Sequence, residues 1–277
     1  MTRLLTLGCS WVRGVGAEYD ASNPQDKKTY QRHCQDDGTW KYAFRTLLSQ
    51  KYGLRNVNLS AAGSSNHAQS RKLREYLHKN SLEDTIVLWG VTSIYRMEMW
   101  FNNIDAHWCF QPTQKNNSKI CGPKWCGPKQ FFWHHFDEAN ENRKLSADVS
   151  HWQKYFDAFG VPQIWFDTLN VNKYVGRLYN KFDTLPYPCN QDLLSQLAYK
   201  NGWSADNDKY HHSNWEADCD RIHHLAKAKV VNPWSYHPTR QGHEQIAEML
   251  DPYLKNILDN HRPKLNPYTI KWNDVHD

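Results

Sequence analysis

With 277 residues, 34 basic and 29 acidic side chains and a formal net charge of +5, the chain is long enough for one large α/β domain or two small ones. Its charge is too evenly spread for a nucleic-acid-binding stripe. No run reaches the ~18 apolar residues of a membrane span, and the first residues lack the charged and apolar regions of a secretory leader, so a cytoplasmic location is expected. The seven Cys are an odd number and read as free thiols, while 13 Trp and 15 Tyr in a hydrophilic chain suggest that some aromatics line a surface or cleft.

In chain order, Leu4, Leu5 and Leu7 form an apolar run that stops at Gly8-Cys9-Ser10. This pattern predicts a buried strand followed by a tight turn carrying a hydroxyl, with Ser10 either an N-cap or a nucleophile. Trp40, Phe44, Leu47 and Leu48 share a helical face, and Val57-Asn58-Leu59 is a second strand entering Ala61-Ala62-Gly63-Ser64-Ser65-Asn66. A helix carrying Leu73, Tyr76 and Leu77 follows, then a third strand at Ile86–Trp89 that leads to Gly90-Val91-Thr92-Ser93. Ile164-Trp165-Phe166 is a fourth strand. The last helix carries Ile246, Met249, Leu250, Tyr253, Leu254 and Ile257 at i, i+3, i+4, i+7 spacing, with Pro238 placed to start it. Short apolar strands alternating with amphipathic helices predict a three-layer α/β/α sandwich on a parallel sheet.

The four blocks around Gly8-Cys9-Ser10, Gly63, Thr92 and Ser235-Tyr236-His237-Pro238 stand in an order that resembles the SGNH (GDSL-type) hydrolases, in particular the branch with Gly-Cys-Ser in place of Gly-Asp-Ser. The resemblance implies a flavodoxin-like fold, Ser10 as nucleophile, His237 as general base, and an oxyanion hole from the amides of Ser10 and Gly63 with a side-chain amide from the third block. A Ser hydroxyl needs a neighbour to take its proton, and an imidazole of ordinary pKa does this well. Two positions depart from the pattern. Thr92 stands where an Asn is expected, leaving Thr92 or Asn66 to donate to the oxyanion. Trp234 occupies the usual Asp position three residues before the His, with Asn232 and Ser235 the nearby polar groups. That leaves either a Ser-His dyad or a carboxylate from another strand, for which Asp167 is the candidate.

The chain reads as one domain, 1–277, with insertions at about 17–36, 94–150 and 170–230 over the carboxyl edge of the sheet. Trp11, Trp89 and Tyr236 are the expected substrate-binding aromatics, and Trp100, Trp108, Trp125 and Trp133 in the second insertion could pack or stack on sugars. Cys9 is expected to fill the slot beneath the nucleophile turn. The pairs His134-His135, His211-His212 and His223-His224 and the segment around Cys121 and Cys126 lack the spacing of metal ligands, so no metal and no cofactor are expected. The expected activity is hydrolysis of an O-acyl ester, on a carbohydrate or another small polar molecule, with no nucleic-acid or membrane partner. An acyltransferase on the same site and a catalytically silent glycan- or protein-binding module are the alternatives.

Overall fold

A computed structural model of the chain describes residues 1–23, 40–101, 106–110, 136–168, 192–204, 215–232 and 235–260. The four predicted strands are present as β1 (Arg3–Leu7), β2 (Arg55–Asn58), β3 (Thr85–Val91) and β6 (Gln163–Asp167). They form one parallel sheet in the order β2-β1-β3-β6. The chain adds β2 on one side of β1, and β3 and β6 on the other, so the order switches between β1 and β3, where a crevice opens outside their carboxyl ends.

Alternation along the strands sends neighbouring residues to opposite faces. Leu4, Ile86, Leu88, Ile164 and Phe166 pack with Phe44 and Leu48 of α2 (Phe44–Lys51), with Leu193, Leu194 and Leu197 of α5 (Leu193–Lys200), with Leu225 of α6 (Trp215–Lys227), and with the Ile246, Leu250 and Leu254 stripe of α7 (Arg240–Asn260). Leu5, Leu7, Val87, Trp89 and Trp165 pack on the other face with Leu73 and Leu77 of α3 (Asn66–Leu77) and with Leu145, Val149, Trp152 and Phe156 of α4 (Glu138–Ala158). The architecture is the expected three-layer α/β/α sandwich.

Two of the stretches expected to decorate the sheet supply helices that cover it. The 94–150 stretch opens with an antiparallel ribbon, β4 (Met97–Phe101) and β5 (Ala106–Phe110), and ends in α4, which connects β3 to β6. Arg71 of α3 holds the ribbon by an ion pair of 2.8 Å to Glu98. Helices α5 and α6 lie within 170–230. The last helix starts later than its proline suggests. Pro238 makes a β-bridge to Val231, α7 begins at Arg240, and the Thr239 hydroxyl accepts from Gly242 N–H at 3.3 Å as an N-cap does. Trp125, Trp133, Cys121, Cys126, His134-His135, His211-His212 and Trp234 lie outside the described residues. Among the described residues no helix is long and apolar enough to cross a membrane.

Candidate active site

Strand β1 delivers Gly8-Cys9-Ser10 to the crevice, where α1 (Ser10–Arg13) begins. A Cβ on Gly8 would overlap Val12 Cγ2, so only glycine lets the chain turn this tightly into the helix. Cys9 is fully buried, and its Sγ lies 3.6 Å from Thr168 Oγ1. It fills the space under the turn, as expected. The N-cap position falls on Cys9 and no side chain caps the helix, so Ser10 is not a cap. Ser10 is 4 % exposed, and its hydroxyl bonds to no other described residue.

The segment carrying His237 packs on the chain just beyond α1. Gly16, just beyond α1, has φ +94, and a Cβ there would overlap the Pro238 carbonyl and lie 3.3 Å from His237 Cβ. The loop carrying His237 is held by Asn232 N–H donating to His237 O at 2.8 Å, by Tyr236 N–H donating to Asn232 O at 2.9 Å, and by the Val231–Pro238 bridge. Tyr236 has φ +58 and is 46 % exposed. An aromatic residue in the left-handed region beside a candidate base is strained, a feature that clusters at functional sites. Of the three aromatics expected to bind substrate, Tyr236 is the exposed one.

The imidazole of His237 does not keep its ordinary pKa. Burial chiefly pushes it down to about 4, the positive charge of Arg96 adds to this, and a hydrogen bond with the Ser235 backbone opposes it. The ring is therefore neutral and able to accept a proton at physiological pH, although a base of ordinary pKa would be stronger. Asp167, the candidate third member, stands half-buried at the end of β6, paired with Val91 at the end of β3.

The expected oxyanion donors sit on adjoining loops. Ala61 N–H donates to Gly8 O at 3.1 Å, which ties the turn after β2 to the nucleophile turn. Within it Gly63 is exposed, with nothing within 4 Å of where a Cβ would stand. Neither the Ser10 nor the Gly63 amide is taken by a backbone carbonyl among the described residues. Thr92, at the end of β3, is 1 % exposed, and its Oγ1 is buried with no partner. Asn66, expected as an alternative oxyanion donor, is engaged elsewhere. Its Nδ2 donates to Thr92 O at 2.8 Å, and its Oδ1 accepts from Thr92 N–H at 2.9 Å. Asn66 thereby holds the Thr92 backbone, with one of its two amide N–H donors used.

Trp11 and Trp89 are corrections to the sequence reading. Trp11 is 2 % exposed in the core beneath α2 and α7. Trp89 stacks on Trp165 with ring centres 4.6 Å apart, packs on Trp152 at 6.0 Å, and donates Nε1–H to Gln69 Oε1 at 2.5 Å. Both side chains are buried in the core layers. Of the His pairs, His223 is exposed on α6, and His224 bonds to Asn201 O at 2.8 Å beside Trp203. Among the described residues no group of three or more His, Cys, Asp or Glu is arranged to hold a metal.

Arg96, five residues beyond β3, was not legible from the sequence. It belongs to no motif, and only the fold brings it to His237. Its Nη1 is buried with no hydrogen-bond partner.

No protein-family model and no curated protein sequence matches the chain. In fold it is similar to the psychrotrophic esterase EstA from Pseudoalteromonas sp., at 13% identity and a TM-score of 0.41, over 93% of this chain and 100% of that one. It is likewise similar to a phospholipase A1 from Streptomyces albidoflavus NA297, at 12% identity and a TM-score of 0.41, over 91% of this chain and 99% of that one. A carbohydrate esterase matches at 8% identity and a TM-score of 0.40, over 92% of this chain and 68% of that one. Likeness of this degree assigns no activity to the chain.

Proposed function

We propose that the protein is a serine ester hydrolase of the SGNH type that removes an O-acyl group from a carbohydrate or another small polar molecule. What supports this reading is Ser10 at the head of α1, its hydroxyl bonded to no other described residue, together with the loop of His237 packed on Gly16 just beyond the same helix.

The chemistry follows from those residues. Ser10 Oγ attacks the ester carbonyl carbon while His237 takes the hydroxyl proton. The negative charge that forms on the carbonyl oxygen is met by the Ser10 and Gly63 amides and by the Thr92 hydroxyl. The intermediate collapses, the carbon–oxygen bond to the alcohol breaks, and His237 returns the proton to the departing alcohol. Water then attacks the acyl-Ser10 ester, giving its proton to His237, which passes it back to Ser10 as the carboxylic acid leaves. The ring is held by a hydrogen bond with the Ser235 backbone, and Ser10 and His237 act either as a dyad or with Asp167 as the orienting carboxylate.

The test is labelling by a fluorophosphonate probe, with p-nitrophenyl acetate turnover in parallel, on wild type, Ser10→Ala and His237→Ala. Labelling is expected in wild type, absent in Ser10→Ala and slowed at least ~10²-fold in His237→Ala. A folded wild type that neither labels nor turns over would replace the hydrolase with a binding module.

A further inference from the structure

Helix α1 is a single turn, and a single turn does not hold itself together in water. Its head lacks the usual support. The N-cap is Cys9, no side chain caps the helix, and the Ser10 hydroxyl bonds to no other described residue. The support comes from the other end. Arg45 of α2 donates from Nη2 and Nε to the Arg13 carbonyl at 3.1 and 3.3 Å. Arg13 is the last residue of α1, where unpaired carbonyls carry partial negative charge and a cation is favoured.

The contact leads back to Ser10. The Arg13 carbonyl and the Gly14 N–H belong to one planar peptide unit, and that N–H donates to Ser10 O at 3.1 Å. Val15 N–H donates to the same oxygen at 3.0 Å. Arg45 therefore grips the oxygen of the peptide whose hydrogen grips the Ser10 carbonyl, and hydrogen bonds in such a chain strengthen one another. Glycine at position 14 permits the close approach of the two helices. Its φ is +98, and a Cβ there would stand 2.5 Å from Ala43 Cβ, just before α2.

A buried guanidinium is a costly way to hold one carbonyl. Arg45 is 2 % exposed and forms no ion pair with any described carboxylate. Burial chiefly, with the charge of Arg13 adding to it, lowers its pKa to about 10, which leaves it charged at neutral pH. Burying a charge without a counter-charge opposes folding, so packing alone does not account for an arginine here.

We propose that Arg45 is a positioning residue for Ser10. Anchored on α2, it fixes the carboxyl end of α1, so that the serine hydroxyl is left free for chemistry and is not used as a cap. The inference rests on the hydrolase reading for its kinetic test but not for its exchange test.

The kinetic test follows p-nitrophenyl acetate turnover and fluorophosphonate labelling in wild type, Arg45→Met, Arg45→Lys and Leu73→Ala. Arg45→Met keeps the apolar stem and removes the donors. It is expected to lower kcat and the labelling rate about 10- to 100-fold with KM nearly unchanged, as misplacement of a reacting group does. Arg45→Lys, which keeps the charge and one reaching donor, is expected to restore part of both. Leu73→Ala opens a cavity on the opposite face of the sheet and is expected to unfold at lower urea while its folded form keeps the wild-type kcat. An Arg45→Met protein that loses stability as Leu73→Ala does, with kcat unchanged, would make Arg45 a packing residue and overturn the proposal.

Amide hydrogen exchange separates this inference from the hydrolase reading. The Gly14 and Val15 amides are expected to exchange ~10- to 100-fold faster in Arg45→Met than in wild type, the scale of a lost hydrogen bond to a charged group, with no such change in Leu73→Ala. That result supports the anchor even in a wild type that turns over no ester. Unchanged exchange in folded Arg45→Met overturns it even if turnover falls. Should Arg45→Met not fold, Arg45→Lys decides in the same way: faster exchange at Gly14 and Val15 supports the anchor, and wild-type exchange with wild-type kcat overturns it.

Discussion

His243 is the residue through which acid should most directly unfold this protein. It is fully buried on α7, stacked on Phe44 with ring centres 5.8 Å apart, with Nε2 3.5 Å from Val15 O and Nδ1 without a partner. Burial chiefly pushes its imidazole down to about 3; the Val15 carbonyl opposes this, and the positive charges of Arg45 and His237 add to it. The unfolded chain protonates His243 near pH 6.5, the folded chain only near 3, so between those values the unfolded state binds the extra proton and stability falls as pH falls. The loss is complete below both values. Each unit in that window is worth ~1.4 kcal/mol, so going from pH 7 to pH 4.5 removes about 2–3 kcal/mol through this one side chain. That is a large share of the ~5–15 kcal/mol that holds a domain together.

His243→Leu keeps the apolar volume against Phe44 and removes the titration. Urea unfolding at pH 7, 5.5 and 4.5 should show wild type losing about 2–3 kcal/mol more than the variant across the range, with the other titrating groups cancelling between the two. Parallel pH profiles for wild type and His243→Leu would refute the reasoning.

Two further predictions concern the support of the crevice. A Cβ on Gly90 would stand 2.5 Å from Val12 Cγ2, 2.8 Å from Thr168 Cγ2 and 3.0 Å from Phe166 Cε2. Gly90→Ala should therefore cost ~1–3 kcal/mol by urea melt and, by displacing Val12 in the turn after Ser10, lower ester turnover ~10-fold or more. Wild-type stability in Gly90→Ala would contradict the packing. Asn66→Ala leaves both backbone groups of Thr92 without their partners and should cost ~1–3 kcal/mol. Asn66→Asp keeps the acceptor for Thr92 N–H but sets a carboxylate against Thr92 O, so it should recover only part of that loss, as read from thermal midpoints; full recovery would show that the bond to Thr92 O contributes nothing.

Periodicity made most of the scaffold readable. Strand runs such as Leu4–Leu7 and Ile86–Trp89 and the stripe from Ile246 to Leu254 are local patterns, because backbone geometry alone decides which residues share a face. The same holds for the small residues of Gly8-Cys9-Ser10, which announce a tight turn before any partner is known. The aromatics were misread for the complementary reason. A high Trp count suggested a lined cleft, yet Trp89 finds Trp165 from β6 and Trp152 from α4 and is sealed in the core. Nothing near Trp89 in sequence announces those neighbours. Asn66 looked like a free donor until Thr92, 26 residues away, occupied both ends of its amide. His237 looked like an ordinary imidazole until burial and Arg96 acted on it.

The sequence by itself determined the four strands of the sheet, the helices α2, α3 and α7, the layers they must form, and the places of Ser10 and His237 in the chain; the β4–β5 ribbon and helices α4, α5 and α6 were read only as insertions. Only the tertiary structure decided which polar atoms are already satisfied, which aromatics are core, and which charge stands beside the base. Burial and electrostatics depend on distances between segments far apart in the chain, and those distances exist only once the sheet is assembled.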